Sequence, residues 1–393
     1  MSSRTSFLWR QLRLAVPSSN SVPGLLALTL LSSVAFLSIA ACAESDDTAR
    51  APEDGSAVVP SLDAGGSADA SDGGGDAEAG PCAAGVICKL TSPLASVVAI
   101  TGRSKDDVWA TGSGGAILHF GGSAWTALES TLNETFTSVF LTPDEMWATA
   151  GTVVLRRGLS ADTVHTARVS LDGSSYRSIA GVAVMPSGDV FLGLAPGYAW
   201  DGHKRARYFA KVDPDSAALA YQPDALNPLS HQPETEVGVR AVHLVAGKAL
   251  WLVGDRAAVV RYAVSPSSDA GAPSLERGVM VPVASQVNFR AAWGYDDHLW
   301  AVGQKGTIAH YDGASWAFAE SGTTSTLNAV FGIAPNDIWA VGDDGTALHF
   351  DGAAWSSVAT GHDGTLRAVW GGASDDVWFG GDAGLFHWGA LTP

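Results

Sequence analysis
Basic side chains are scarce in this chain. There are 23 Lys and Arg against 40 Asp and Glu, a formal net charge of −17. That balance argues against nucleic acid as a partner and against electrostatic attraction to anionic lipid. Cysteine is scarcer still, with only Cys42, Cys82 and Cys88 among 393 residues. No two of them form a C-x-x-C pair and no second ligand cluster accompanies them, so neither a redox motif nor a zinc site is indicated. A phosphate-binding loop, a dinucleotide-binding glycine pattern and a Gly-x-Ser-x-Gly nucleophile context are all missing. Charged residues make up only 16% of the chain and apolar ones 46%, the balance of a well-buried globular protein.

What the sequence does have is a repeat. Thr326–Thr360 reads as four short strands, Leu327–Ile333, Asp337–Gly342, Thr346–Phe350 and Trp355–Ala359, bounded by Pro, Asn, Asp and Gly. Nothing in it has the 3.6-residue spacing of a helix. The apolar centre of the second strand recurs at Trp109, Trp147, Phe191, Trp251, Trp300, Trp339 and Trp378, at intervals of 38, 44, 60, 49, 39 and 39 residues. Seven all-β units of about forty residues predict a seven-bladed β-propeller. The third strand and its turn repeat too, as GGAILHFGGSAW (Gly114–Trp125), KGTIAHYDGASW (Lys305–Trp316) and DGTALHFDGAAW (Asp344–Trp355). The last unit lacks a fourth strand, while an unpaired β-like piece, Gly85–Leu90, precedes the first unit. Placing that piece beside Leu385–Trp388 closes the ring without leaving an open strand edge.

The DVWAVG…GTxxHxDGxxW units resemble those of secreted bacterial propeller proteins, including lipoproteins of myxobacterial type. They are also similar to BNR/Asp-box and photosystem-assembly-factor-like propellers. Asp312–Trp316 and Asp351–Trp355 match the D-G-x-x-W end of an Asp-box, without its preceding Ser-x. The resemblance runs over about Ser104–Trp388, clearly in units 1, 5, 6 and 7 and less so in units 2 to 4. It implies a fold more than an activity.

Ahead of the repeats lie two further regions. Met1–Ala41 carries Arg4, Arg10 and Arg13 and then the uncharged apolar run Gly24–Ala41, the build of a signal peptide. It ends in Ile39-Ala40-Ala41-Cys42, which resembles the lipobox of bacterial lipoproteins. The resemblance implies that Cys42 is lipidated and becomes the new N-terminus, with Ala43 directing the chain to the outer membrane. Buried acyl chains contribute about 0.8 kcal/mol per CH₂, enough for stable anchoring when several are present. Residues 42–81 are then a tether, with ten acids against Arg50 and almost no large apolar side chain. Such a segment cannot bury enough surface to fold, and as a coil it spans roughly 35 Å. Residues 82–393 form the propeller, where 30 acids still outnumber 19 bases. With Cys42 committed to lipid, Cys82 and Cys88 form an even remainder that reads as a disulfide in an exported protein.

Candidate chemistry is thin. His119, His310, His349 and His387 share one repeat position, too far from the axis to converge on a metal, and are expected to make structural hydrogen bonds. Asp106-Asp107, Asp296-Asp297, Asn336-Asp337 and Asp375-Asp376 repeat with the fold and read as turn chemistry. Three inner strands begin alike, with Arg240, Arg290 and Arg367. In propellers that this chain resembles, their starts share a rim with the connections that are long in blades 3 and 4. The three are therefore expected to form a ligand-binding collar there, with His203, Lys204, Arg205 and Arg207 nearby. Alternatively each pairs with an acid near a second strand, such as Asp297 or Asp376, and braces the ring. Ser265–Glu276 reads as a plain solvated loop. The predicted role is a non-enzymatic binding or assembly module for a protein or acidic glycan, acting as a monomer without a cofactor. The alternative is a carbohydrate-active enzyme of sialidase type, but Tyr176, Tyr198, Tyr208, Tyr221, Tyr262, Tyr295 and Tyr311 show no active-site motif.

Overall fold
The computed structural model describes residues 85–160, 163–169, 176–196, 209–212, 219–220, 238–265, 274–276 and 278–390. Among them the strands form seven antiparallel sheets, each a meander of chain-sequential strands except the last. All seven aromatic markers sit on second strands: Asp107–Gly112, Glu145–Ala150, Val190–Pro196, Ala249–Gly254, His298–Gly303, Asp337–Gly342 and Asp376–Gly381. The inner strands Val97–Ser104, Ser138–Leu141, Tyr176–Val184, Val239–Val245, Phe289–Tyr295, Leu327–Ala334 and Leu366–Ala373 each touch the next, and the last touches the first. These residues therefore build a closed β-propeller, with its core between the blades.

Second strands are apolar on both faces because each blade is sandwiched between two others. Ile338, Trp339, Ala340 and Val341 are all buried. The strand that closes the ring is Ile87–Lys89. It pairs antiparallel with Gly384–Trp388, with Ile87 opposite Trp388 and Lys89 opposite Phe386. Leu90 N–H adds a bond to Leu385 O at 2.9 Å. Cys88 on this strand is disulfide-bonded. Cys82, its expected partner, and Cys42 lie outside the described residues, as do the signal segment and tether.

Blade 4 corrects one expectation. The insertion Ser265–Glu276 is not all loop, because its end forms the strand Ser274–Leu275, which pairs with Val264 and Ser265. A second short piece, Val279–Met280, pairs with Val260 and Arg261, so the outer strand of this blade is split in two.

One rim of the ring is stitched by backbone. The turn after each of several second strands donates an N–H to the connection leading into the next blade. These bonds are Gly115 to Glu134 O, Ala257 to Val287 O, Gly306 to Ser325 O and Gly345 to Gly364 O, at 2.6–2.9 Å. Gly345 sits at φ +61°, and a Cβ there would lie 1.6 Å from His362 O, so the close approach of turn and connection demands glycine.

The closing strand generates a prediction. Deleting Cys82–Leu90 exposes the edge of Gly384–Trp388 and should lower the melting temperature by many degrees, whereas deleting Glu44–Gly80 should leave it unchanged. Equal melting of the two truncations would refute strand closure as a source of stability.

Candidate functional site
The repeated polar residues sort into two groups at opposite ends of the second strands. At the start of these strands, a side chain two residues before the aromatic marker meets one on the third strand. In blades 1, 6 and 7 it is a carboxylate accepting from a histidine: His119 Nε2 to Asp107 Oδ1 at 2.9 Å, and His349 to Asp337 and His387 to Asp376, both at 2.8 Å. Each histidine lies directly opposite the marker tryptophan on the neighbouring strand. The rings of Trp109 and His119 are 4.3 Å apart and those of Trp339 and His349 4.4 Å. Trp109 Nε1 also donates to Asp107.

Burial pushes the Asp107 carboxyl up, but hydrogen bonds from Arg103, His119 and Trp109 outweigh it and hold the group below its ordinary value. The recurrent acids are thus more than turn formers. They lock the third strand onto the second. Blade 2 does the same with Glu145, which faces Arg156 at 3.5 Å and accepts from Trp147 Nε1 at 3.1 Å. In blade 4 the position is Ala249, and Arg261 instead reaches Asp297 of blade 5. In blade 5 it is His298, whose Nδ1 lies 3.2 Å from His310 Nε2. Sequence reasoning missed His298, Arg156 and Arg261, although aligning the second-strand column Asp107, Glu145, Ala249, His298, Asp337, Asp376 displays the first, and aligning the third-strand column His119, Arg156, Arg261, His310, His349, His387 displays the other two.

The marker rings also bind blade to blade. Phe120 packs on Trp378 at 4.9 Å, Tyr311 on Trp251 at 5.9 Å, Phe350 on Trp300 at 5.1 Å and Trp388 on Trp339 at 5.1 Å. In each pair the first residue belongs to the blade that follows.

At the far end of the second strands lies the rim of the expected collar. Arg240 binds Asp255 through Nε at 2.8 Å and Nη2 at 3.3 Å, and Arg367 binds Asp382 with the same two distances. The partners are therefore the acids that follow the second strands, not Asp297 or Asp376, which hold Arg261 and His387. Arg290 occupies the same place in blade 5, half-buried. In blades 2 and 6 the equivalent residues brace the next blade directly: Thr137 donates to Ile179 O at 2.9 Å, and Asn328 to Leu366 O at 3.2 Å. Asn328 also donates to Asp343 at 2.8 Å. His203, Lys204, Arg205 and Arg207 lie outside the described residues.

Two open grooves of about 500 and 610 Å³ flank this rim at blades 6 and 5, sharing Ser321, Gly322 and Thr323. Phe318, 49% exposed, lies at the second, where blades 1 and 6 have Ala127 and Ser357.

Among the described residues no three His, Cys, Asp or Glu side chains converge to hold a metal. Of the tyrosines, Tyr262 is buried and its hydroxyl is pushed up by that burial, the reverse of what a nucleophile requires. Tyr311 donates to Gly313 O at 2.9 Å.

The aromatic sandwich sets the scale of one prediction. Trp339→Ala removes a fully buried ring from contact with His349, Trp388 and Phe379, and should cost about 3–5 kcal/mol in urea unfolding. A loss below about 1 kcal/mol would show that the blades are held otherwise.

No family model matches this chain, and no curated protein matches its sequence. Solved structures do. The WD40 β-propeller domain of Doa1 is 13% identical with a TM-score of 0.54, over 77% of this chain and 95% of that one. YCF48 bound to D1 peptide is 13% identical with a TM-score of 0.54, over 77% and 96%. YCF48 from Cyanidioschyzon merolae is 15% identical with a TM-score of 0.52, over 77% and 99%. At these identities the likeness is one of fold.

Proposed function
We propose that this chain is an exported lipoprotein, anchored through Cys42, whose propeller is a non-enzymatic binding or assembly module. It docks an acidic protein segment or acidic glycan at the rim where the inner strands begin. The observation that carries the reading is the division of labour between the two ends of the second strands. At one end the histidines and carboxylates that could do chemistry are committed to locking strands together. At the other, Arg240, Arg290 and Arg367 recur at the start of three inner strands, and two open grooves lie along the turns and connections of blades 5 and 6 at that end. A propeller of similar fold has been solved with a peptide bound, which supports a peptide-sized partner. Arginine is the side chain suited to gripping carboxylate in two-point fashion. Asp255 and Asp382 hold the guanidinium groups of Arg240 and Arg367 oriented, and an incoming carboxylate joins or displaces them. His203, Lys204, Arg205 and Arg207, outside the described residues, are proposed to extend the same basic rim.

Two sets of substitutions test this. Replacing Arg240, Arg290 and Arg367 together with Gln should abolish retention of a partner in pull-downs from native membranes. It should also cost up to about 1 kcal/mol of stability for each aspartate left unpaired, less for the more exposed Asp382. Asp255→Asn with Asp382→Asn frees the same guanidinium groups and should strengthen retention. If both sets merely destabilise and leave retention unchanged, the arginines are braces and the docking surface lies elsewhere.

The anchor is tested separately. Metabolic labelling with an alkyne fatty acid should mark the wild type and not Cys42→Ala, and equal labelling of both would overturn the lipoprotein reading.

A further inference from the structure
Blade 5 breaks the rule that governs its neighbours. In blades 1, 6 and 7 the histidine of the third strand donates to a carboxylate. In blade 5 a second imidazole stands in for the carboxylate. The rings of His298 and His310 are nearly parallel at 18°, with centroids 5.4 Å apart and nitrogens 3.2 Å apart. Centroids so far apart with nitrogens so close mean that the rings meet edge to edge, nitrogen facing nitrogen. One proton fits between them. A second proton would place two cations in contact.

Stacking restrains both rings. His310 is stacked on Trp300 at 4.1 Å and 9°, and His298 on Tyr295 at 4.7 Å and 7°.

The charged surroundings decide what a proton does there. On the third strand, Asp312 lies two residues beyond His310 and favours its protonation, but burial and His298 oppose it more strongly and hold His310 below its ordinary value. Asp312 is itself occupied, accepting N–H groups of Ala314 and Ser315 at 2.8 and 2.7 Å. On the turn before His298, Asp296 faces Lys248 of blade 4 at 3.6 Å, and Asp297 holds Arg261 of blade 4. From blade 6 the uncharged rings of Phe350 and Trp355 pack on Trp300. The histidine pair therefore sits immediately beside the two ion pairs that tie blade 5 to blade 4.

We propose that His298 and His310 form a proton-operated latch on the seam between blades 4 and 5, closed when they share one proton and opened when both are charged. Opening drives His298 away from His310, carries the adjoining Asp297 off Arg261, and loosens the packing of Tyr311 on Trp251 across the seam. This goes beyond the docking role and does not depend on it. The sign follows from linkage. A histidine held below its ordinary value binds its proton more readily in the unfolded chain, so the stabilisation is complete above about pH 6.5 and is lost as pH falls below it.

The test compares the full chain with His298→Asp, which restores the carboxylate of the other blades, and His298→Asn, which accepts from His310 without a charge. Urea unfolding is measured between pH 7.5 and 5. The folding equilibrium constant of the wild type should fall on acidification relative to both variants, by at most about tenfold per pH unit, the limit for one proton. Hydrogen exchange at pH 5.5 should show less protection over Asp297–Leu299 in the wild type than in either variant. If His298→Asp does not fold, His298→Asn decides alone. Parallel pH profiles in the wild type and the variants, with equal protection of that segment, would overturn the latch.

Discussion

Everything in this ring leans on the indole of the second strand. A propeller blade has two large apolar faces and can bury them only against other blades. The chain meets that constraint with a tryptophan whose ring is covered on one side by its own blade and on the other by the next. Within the blade, His119, His349 and His387 lie against Trp109, Trp339 and Trp378, and the carboxylate that accepts from each histidine holds it in place. Between blades, Phe120, Tyr311, Phe350 and Trp388 close over the indole of the preceding blade. Each such aromatic pair is worth about 0.5–1.5 kcal/mol beyond the area it buries, and a buried indole contributes far more through burial alone.

Where this device is thinned, the repeat loosens. Blade 2 has Arg157 in the place of Phe120, only 6% exposed and donating to Glu129 O at 2.9 Å. Arg156 takes the histidine position over Trp147, its guanidinium 5.7 Å from the ring. Blade 4 has Arg261 over Trp251 at 5.6 Å, and its acid partner comes from blade 5. A guanidinium can cover an indole face as an imidazole does, while its greater reach lets it find an acid outside its own blade. The long connections of the chain fall in the same region, after the second strand of blade 3 and between blades 3 and 4. The regular units 5, 6, 7 and 1 are contiguous round the ring and carry the uninterrupted aromatic run.

The two ends of the second strands have taken on different work. At one end polar side chains of blades 1, 2, 5, 6 and 7 pair within a blade, and those of blade 4 reach across to blade 5. At the other, Arg240 and Arg367 bind the acids at the ends of their own second strands, and Thr137 and Asn328 reach the next blade, where the backbone of turn and connection is already stitched together. A rim held this firmly presents groups without much rearrangement, which favours recognition by lowering the cost of ordering on binding.

The recurring blade unit and the closure of the ring by Ile87–Lys89 were legible in the sequence alone. The recurrence of Trp109 through Trp378 and the missing last strand are properties of order along the chain, and order is what a sequence records. The structural character of His119, His349 and His387 was legible too, because a residue that recurs with the repeat serves the repeat. Partnership was not. Asp255 and Asp382 are the acids that Arg240 and Arg367 grip, yet Asp297 and Asp376 look equally available on paper. Only the antiparallel pairing of inner and second strands decides between them, since it brings the beginning of one strand to the end of the other. The exchange of Asp for His298 is visible as a letter, but its meaning depends on a nitrogen-to-nitrogen distance across two strands. Sequence periodicity determined which elements exist and in what order. Which side chains meet was decided by register and by the packing of one blade on the next, because hydrogen bonds and ion pairs act over a few ångströms that chain order does not specify.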